Sequence, residues 1–293
     1  MPLFTYCSLV LTMLLWAGTF IAGRILAETM DPAGAAFLRF AIASLAMVAA
    51  VPLLEGRLKL PPRPLWLPLF LLGLTGVFAY NVFFFNGLQY ISAGRASLIV
   101  AGTPLAITLF AALFLGERLT ALKGVGVLLS LTGAVIVISN GEPATLFTGG
   151  FGRGEQALLG CVLSWSAYSL IGRRVLQTLP PLTAVCYSAL IGTLLLSIPA
   201  AGTGIFLRLD TISPLCWLSL VYLGLGGTAL AFSLYYMAIK RIGAARAGIF
   251  INLVPVFSLL LAWLLLGETI KPAVLAGGVL VLAGVSLANY QRR

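Results

Sequence analysis

The chain has 293 residues, of which 60% are hydrophobic and only 9% are charged, and its formal net charge is +10. Soluble domains carry about 25% charged residues, so this composition excludes a water-soluble enzyme. The Lys and Arg residues are scattered between apolar runs, whereas a nucleic-acid-binding protein needs them clustered on one face or in one segment.

Apolar runs separated by charged, Pro or Gly residues predict an all-α membrane protein with ten transmembrane helices. At about 20 residues per helix, such spans use about 200 residues and leave short connections. We number the spans 1 to 10; they lie near residues 4–26, 33–54, 65–86, 93–115, 121–139, 156–174, 183–203, 214–238, 244–266 and 273–290. An even number of spans places both termini on one side. Most Lys and Arg residues fall in the segments on that side, which predicts cytoplasmic termini.

An internal repeat relates the two halves of the chain. An offset of 151 residues superposes Ile91–Arg95 on Ile242–Arg246, and an offset of 149 superposes spans 1 and 2 on spans 6 and 7. Equivalent pairs are Trp16 and Trp165, Gly76 and Gly227, Phe84 and Tyr235, Pro104 and Pro255, and Glu117 and Glu268. We therefore predict two five-span repeats at residues 1–141 and 156–293, joined by a linker at residues 142–155.

Because five is an odd number, the second repeat crosses the membrane in the opposite sense to the first. Equivalent charges exchange sides accordingly, with Arg95 outside and Arg246 inside. Inverted repeats are typical of transporters that work by alternating access, with the substrate site at the midplane between the halves. The alternative is a duplicated membrane scaffold that transports nothing.

Several short motifs recur in this ten-span layout. They are Trp16–Phe20, Pro32 with Arg39, Ala101–Pro104, Leu115–Arg118 and Leu266–Glu268. With them the whole chain resembles the EamA-type branch of the drug/metabolite transporter superfamily, and within it the YddG-like exporters of aromatic amino acids and other small metabolites. The resemblance implies a central cavity lined by spans 1, 3, 4, 6, 8 and 9, with spans 5 and 10 to the side.

Interrupted helices at corresponding positions of two repeats are the best sequence indication of a transporter's substrate site. Pro104 and Pro255 lie near the middle of spans 4 and 9, and each removes a backbone hydrogen bond. Thr103 and Asn252 place polar groups beside these breaks. The alternatives are a packing kink for the prolines and a hydrogen bond between helices for the two polar residues.

Aromatic side chains on four spans are candidates for the wall of the pocket. Spans 1 and 6 carry Trp near mid-membrane, too deep for the interfacial belt where Trp is enriched. The candidate contacts are Trp16, Phe20, Tyr80, Asn81, Phe84, Trp165, Tyr168 and Tyr235. Such a pocket suits a flat, partly apolar substrate, although an aromatic stripe is also typical of a packed core.

The eight Asp and Glu residues all fall in predicted loops or at helix ends, and the chain has no His. The small multidrug-resistance relatives of this superfamily exchange protons through a mid-helix Glu, which this chain lacks. Movement of the substrate down its own gradient is therefore favoured over proton antiport. The missing His also removes the commonest metal ligand, and we expect neither a metal nor a cofactor.

Charged residues at the span ends are candidate gates. We hypothesise that Glu117 pairs with Arg246 inside and Glu268 with Arg95 outside, with ordinary solvated charges as the alternative. Arg39, about two turns into span 2, is expected to meet an outer carboxylate such as Asp31 or Glu28, with a direct substrate contact as the alternative. Gly126 and Gly133 in span 5, like Gly277 and Gly284 in span 10, are seven residues apart and predict close helix packing.

The sequence thus predicts a multi-pass carrier of the inner or plasma membrane, not an enzyme, that exports small metabolites by alternating access. Aromatic amino acids are the leading substrates. The alternatives are another solute, such as a polar amino acid, a nucleobase or an amphiphilic drug, and far behind them a membrane enzyme or lipid flippase. The expected partners are the substrate and the lipid bilayer, not nucleic acid, and a monomer is sufficient.

Overall fold

A computed structural model of the protein describes residues 2–58, 60–115, 121–144, 151–242 and 250–288. Within these ranges the chain is helical and contains no strand. The α-helices are α1 (Pro2–Thr29), α2 (Pro32–Glu55), α3 (Trp66–Leu72), α4 (Tyr80–Tyr90), α5 (Ala93–Val100), α6 (Thr103–Leu115), α7 (Ala121–Ile138), α8 (Arg153–Val175), α9 (Pro181–Gly202), α10 (Pro214–Val221), α11 (Ala231–Ile242), α12 (Leu253–Leu266) and α13 (Pro272–Ala288). Short 3₁₀ helices lie at Arg63–Leu65, Ile205–Leu207, Leu209–Thr211 and Phe250–Asn252.

Two spans are built from α-helices joined by a π-helical segment. Span 3 consists of α3, the segment Gly73–Ala79 and α4, and span 8 consists of α10, the segment Tyr222–Leu230 and α11. Span 4 is divided into α5 and α6 by a turn at Ala101 and Gly102. Within the described residues, five helices are apolar and long enough to cross a membrane by length and composition alone: Phe4–Thr29, Pro32–Glu55, Arg63–Tyr90, Pro181–Gly202 and Pro214–Tyr235.

The two halves run in opposite senses through the bundle. We call the end where α1 begins the near end and the end where α1 finishes the far end. Tyr6, near the start of α1, stacks on Phe250 at the start of the described part of span 9. Ala93, at the start of span 4, bonds instead to Glu268, just beyond the end of span 9. The equivalent spans 4 and 9 therefore begin at opposite ends, as an inverted repeat requires.

Helices α7 and α13 pack against each other through their glycines. A Cβ atom added at Gly133 would lie 2.5 Å from the carbonyl oxygen of Gly277, and one added at Gly284 would lie 2.5 Å from that of Gly126. Backbones can approach this closely only where side chains are absent. The predicted close packing of spans 5 and 10 is confirmed, and Ser130 Oγ adds a hydrogen bond to the carbonyl of Val281 at 3.0 Å.

Apolar side chains fill the far half of the bundle. Leu26, Phe85 and Leu88 are fully buried there, and Phe84 is 1% exposed. A Cβ atom at Gly23 would lie 2.6 Å from the ring of Phe84, so α1 and α4 touch directly at this level. The interior is therefore packed at this level of the bundle.

Candidate functional site

A cavity of about 610 Å³ lies between the two repeats. It reaches from Asn81 and Ser97, toward the far end, to Leu176 and Pro181, where α8 finishes and α9 begins at the near end. The residues of the sequence-based prediction that line it are Trp16, Phe20, Tyr80, Asn81, Thr103, Trp165, Tyr168, Tyr235, Asn252 and Pro255. Lining residues that the prediction missed include Thr19, Ser97, Ser188, Thr228 and Phe232. The volume is that of an ordinary small-molecule site.

The π-helical segments bring backbone close to the cavity at equivalent places in the two repeats. Gly76 and Gly227, which are related by the 151-residue offset, both line the cavity. The carbonyl of Gly227 accepts a hydrogen bond from the indole N–H of Trp16 at 3.1 Å, and Thr228 Oγ1 donates to the carbonyl of Leu223 at 3.0 Å. π-helical turns are frequent at functional sites because they free backbone groups. The only signal in the sequence was the pairing of these glycines between the repeats.

Aromatic rings form two clusters on the cavity wall. In one cluster Trp165 lies 5.1 Å from Tyr168 and 5.2 Å from Tyr80, measured between ring centroids. In the other, Trp16 lies 5.1 Å from Tyr235 and 5.6 Å from Phe232. Each repeat therefore contributes aromatic faces to the same space, an arrangement that accepts a planar apolar group.

Tyr168 is held in place by a glycine opposite it. A Cβ atom at Gly76 would lie 2.1 Å from the Tyr168 ring, so only Gly allows this contact. The Tyr168 hydroxyl interacts with Ser188 of α9, which also lines the cavity. Spans 3, 6 and 7 thus meet at one point of the cavity wall.

Phe84 requires a correction, because it does not line the cavity. Its ring lies behind two rings that do: the centroid of Phe20 is 5.4 Å away and that of Tyr80 is 5.9 Å away. The four-residue spacing of Tyr80 and Phe84 put both on one helix face, but Phe84 is one turn nearer the far end, where the bundle is packed. It is therefore part of the core.

The polar residues beside the helix breaks bond within the protein. Thr103 Oγ1 donates to the carbonyl of Val100 at 2.6 Å, which satisfies the carbonyl freed by Pro104. Asn252 Nδ2 donates to Ser286 Oγ of α13 at 3.0 Å, so the bond between helices that we gave as the alternative is present. Both residues still line the cavity.

The expectation that Arg39 meets Asp31 or Glu28 was wrong. Glu28 pairs with Arg24 at 2.8 Å, and Asp31 Oδ1 accepts the N–H of Ala33 at the start of α2 at 2.8 Å. Arg39 instead lies 8% exposed on the cavity wall. Its Nη1 donates to Asn81 Oδ1 at 3.0 Å, and its Nε has no hydrogen-bond partner among the described residues.

The far-end charges also pair differently from the hypothesis. Arg95 binds Glu155 at 2.7 Å and the carbonyls of Val137 and Ile138, not Glu268. The carboxylate of Glu268 accepts the backbone N–H of Ala93 at 2.7 Å and of Gly94 at 3.0 Å. A carboxylate fits there because the first N–H groups of α5 have no partner within the helix. Glu117 and Arg246, the other hypothesised pair, lie outside the described residues.

We call the contact of Glu268 with Ala93 and Gly94 the far-end latch. It joins span 9 of the second repeat to span 4 of the first. On the rim of the same end, Lys271 Nζ lies 2.7 Å from Glu142, and this exposed pair holds the pKa of the Glu142 carboxyl below its usual range through hydrogen bonding and charge. At the far end the second repeat is thus joined both to span 4 of the first repeat and to the linker.

The inverted bundle and its central cavity define a multi-pass membrane carrier. The sequence profile of the EamA-like transporter family matches residues 3–139 and again residues 152–290, and the chain belongs to this family. A probable terminal-alkyne amino-acid exporter of Streptantibioticus cattleyicolor is 34% identical over 286 residues, which are 96% of this chain and 92% of that protein. The protein is accordingly a transporter and not an enzyme.

Two further likenesses agree with this assignment. The aromatic amino acid exporter YddG of Ancylobacter novellus is 29% identical over 202 residues, which are 68% of this chain and 67% of that protein. A crystal structure with 24% sequence identity covers 97% of this chain and 96% of its own, with a TM-score of 0.65. The latter likeness concerns the fold alone.

Proposed function

We propose that the protein exports amino acids, aromatic ones foremost, by alternating access of the cavity between its repeats. The observation that carries the proposal is the pair of aromatic clusters, each built from residues of both repeats, that face a single cavity. Relatives named as exporters of aromatic and terminal-alkyne amino acids support the same substrate class. The membrane is the cell's inner or plasma membrane, with both termini cytoplasmic.

This orientation makes the near end cytoplasmic and the far end external. The cavity reaches the near end, whereas the far end is closed by the far-end latch and by the packing of Phe20 on Phe84. We therefore propose that this conformation is the one that loads substrate from the cytoplasm. Release outside requires the latch to open and the near end to close, so Glu268 acts as a gate residue.

Transport is proposed to follow the substrate's own gradient. The carboxylates described in the structure lie at the bundle ends and not in the cavity lining. Proton exchange across a membrane normally requires an acid or His within the membrane. An exporter of a metabolite that accumulates in the cytoplasm does not need such a group.

The test is uptake of labelled phenylalanine, tryptophan and threonine by proteoliposomes, with and without an imposed proton gradient. We expect phenylalanine and tryptophan to enter until the two sides are equal, and a proton gradient to leave the final level unchanged. If none of the three amino acids enters, the substrate assignment is wrong. If a proton gradient drives accumulation, the downhill mechanism is wrong.

A further inference from the structure

Arg39 is a buried cation that faces the cavity and has no counter-ion among the described residues. Its guanidinium has five N–H donors, and the side-chain bond that the structure gives it is the one to Asn81. Its Nε is buried and unpartnered among the described residues. Burying a charge is costly unless the charge is paired and hydrogen-bonded, so this site is complete only when an anion enters the cavity.

The described acids cannot supply that anion. Glu28 binds Arg24, and Glu155 binds Arg95. Asp31, Glu55 and Glu268 each accept backbone N–H groups at the start of a helix. Glu142 pairs with Lys271, and Asp210 is exposed in the 3₁₀ helix Leu209–Thr211.

The guanidinium is fixed in place before any ligand arrives. Its central carbon lies 5.3 Å from the ring centroid of Phe40 and 5.8 Å from that of Phe84, which suits cation–π contacts on both. Asn81 is in turn held by the bond from its Nδ2 to the carbonyl of Val77 at 2.7 Å. A positioned guanidinium matches a carboxylate in a bidentate fork, which Lys cannot reproduce.

The internal repeat shows that this charge belongs to one half only. The offset of 149 residues places Arg39 on Ser188, and the offset of 151 places Asn81 on Phe232. All four residues line the cavity. Arg39 is the one charged side chain among the described residues that line this pseudosymmetric cavity, and it lies on the side nearest the far end.

We infer that Arg39, held by Asn81, binds the carboxylate of the transported molecule, so that the cavity selects organic carboxylates and rejects amines that lack one. This inference rests on the proposed function for the identity of the cavity as a transport site. The aromatic clusters take the apolar part of the same molecule. Zwitterionic amino acids fit this description, and so do simple aromatic acids.

Binding to the purified protein in detergent tests the inference independently of transport. The probes are phenylalanine, 3-phenylpropionate, phenethylamine and chloride, and the readout is the concentration of each that raises the thermal unfolding temperature. We expect the first two to stabilise the wild type, with no effect of phenethylamine at the same concentrations. Arg39→Gln should weaken the binding of both carboxylates by about 10- to 100-fold, which is the range for a lost charge-assisted hydrogen bond. Arg208→Gln removes an exposed charge outside the cavity and should leave the binding of all four probes unchanged.

Asn81→Asp distinguishes an Arg39 that binds the ligand's carboxylate from an Arg39 with a purely structural role. It keeps the shape of the side chain but gives Arg39 an internal carboxylate, which competes with the ligand. We expect 3-phenylpropionate to bind at least about tenfold more weakly, and phenethylamine to bind more tightly than to the wild type. A merely structural Arg39 would be better satisfied by the introduced carboxylate and would leave probe binding unchanged.

Three results would overturn the inference: carboxylate binding that both variants retain, a wild type that phenethylamine stabilises as strongly as the carboxylates do, or a wild type that no carboxylate stabilises. If chloride displaces 3-phenylpropionate at equal concentration, the site binds inorganic anions in general, and the inference that it selects organic carboxylates is wrong. Failure of the proposed function looks different. In that case carboxylates bind in an Arg39-dependent way, but proteoliposomes take up no amino acid.

Discussion

Gly172→Trp is expected to reduce phenylalanine uptake by roughly five- to 100-fold, because overpacking a filled site costs on the order of 1–3 kcal/mol and about 1.4 kcal/mol is tenfold in binding. Gly172 lies in α8 on the cavity wall. The nearest atom to a Cβ placed there is Leu72 Cδ2, at 3.9 Å. An indole can therefore enter the cavity without displacing backbone.

Gly124→Trp is the matched control for this experiment. A Cβ at Gly124 has no atom within 4 Å, and the residue lies in α7, outside the cavity lining. Initial uptake rates in proteoliposomes, corrected for the amount of folded protein, should be close to wild type for this variant. Equal loss in both variants, or full uptake by Gly172→Trp, would show that the cavity is not the transport route.

Glu268→Gln is expected to open the far end. A hydrogen bond to a charged acceptor contributes about 1.5–3 kcal/mol, against about 0.5–1.5 kcal/mol for a neutral one. The Gln amide also presents only one oxygen to the two N–H groups of Ala93 and Gly94. The loss of about 1 kcal/mol or more should raise the population of the far-end-open form by roughly five- to tenfold.

Thiol labelling measures this population. With Cys7, Cys161, Cys186 and Cys216 replaced by Ser, the variant Ser97→Cys places a thiol on the cavity wall beside the latch, where the native side chain is 2% exposed. A membrane-impermeant reagent added outside intact cells should label it several-fold faster when Glu268→Gln is present. Lys271→Gln breaks the exposed pair with Glu142 at the same end and should not change the rate. Equal rates with and without Glu268→Gln would contradict the latch.

Sequence reasoning located most of the aromatic residues on the cavity wall, because the repeat and the helical spacing act together. Trp16 and Trp165 are equivalent and lie too deep for the membrane interface, and both face the cavity. Helical spacing alone did not predict correctly which residue one turn farther along faces the cavity. Phe84 shares a helix face with Tyr80 but is covered by Phe20. Depth within the bundle depends on how neighbouring helices pack, and the spacing of residues in one helix does not contain that information.

The charged residues were harder to predict, for a physical reason. Arg95 is equivalent to Arg246 and Glu268 to Glu117, so pairing the opposite charges at each end was the simplest expectation. In the structure Glu268 instead accepts the N–H groups at the start of α5, and Arg95 binds Glu155 and two backbone carbonyls. Backbone groups at helix ends compete for charged side chains, but they leave no mark in the sequence. Arg39 was misplaced likewise, because its cavity is formed by spans distant in the chain.

Counterflow of phenylalanine is the measurement that tests the central claim most directly. Proteoliposomes loaded with unlabelled phenylalanine are diluted into a trace of labelled phenylalanine, with no proton or membrane potential. A carrier that exposes one cavity to alternate sides should accumulate label transiently above equilibrium, and Gly172→Trp should abolish this overshoot while Gly124→Trp keeps it. Simple equilibration of the label, or an overshoot that survives in Gly172→Trp, would contradict alternating access through this cavity.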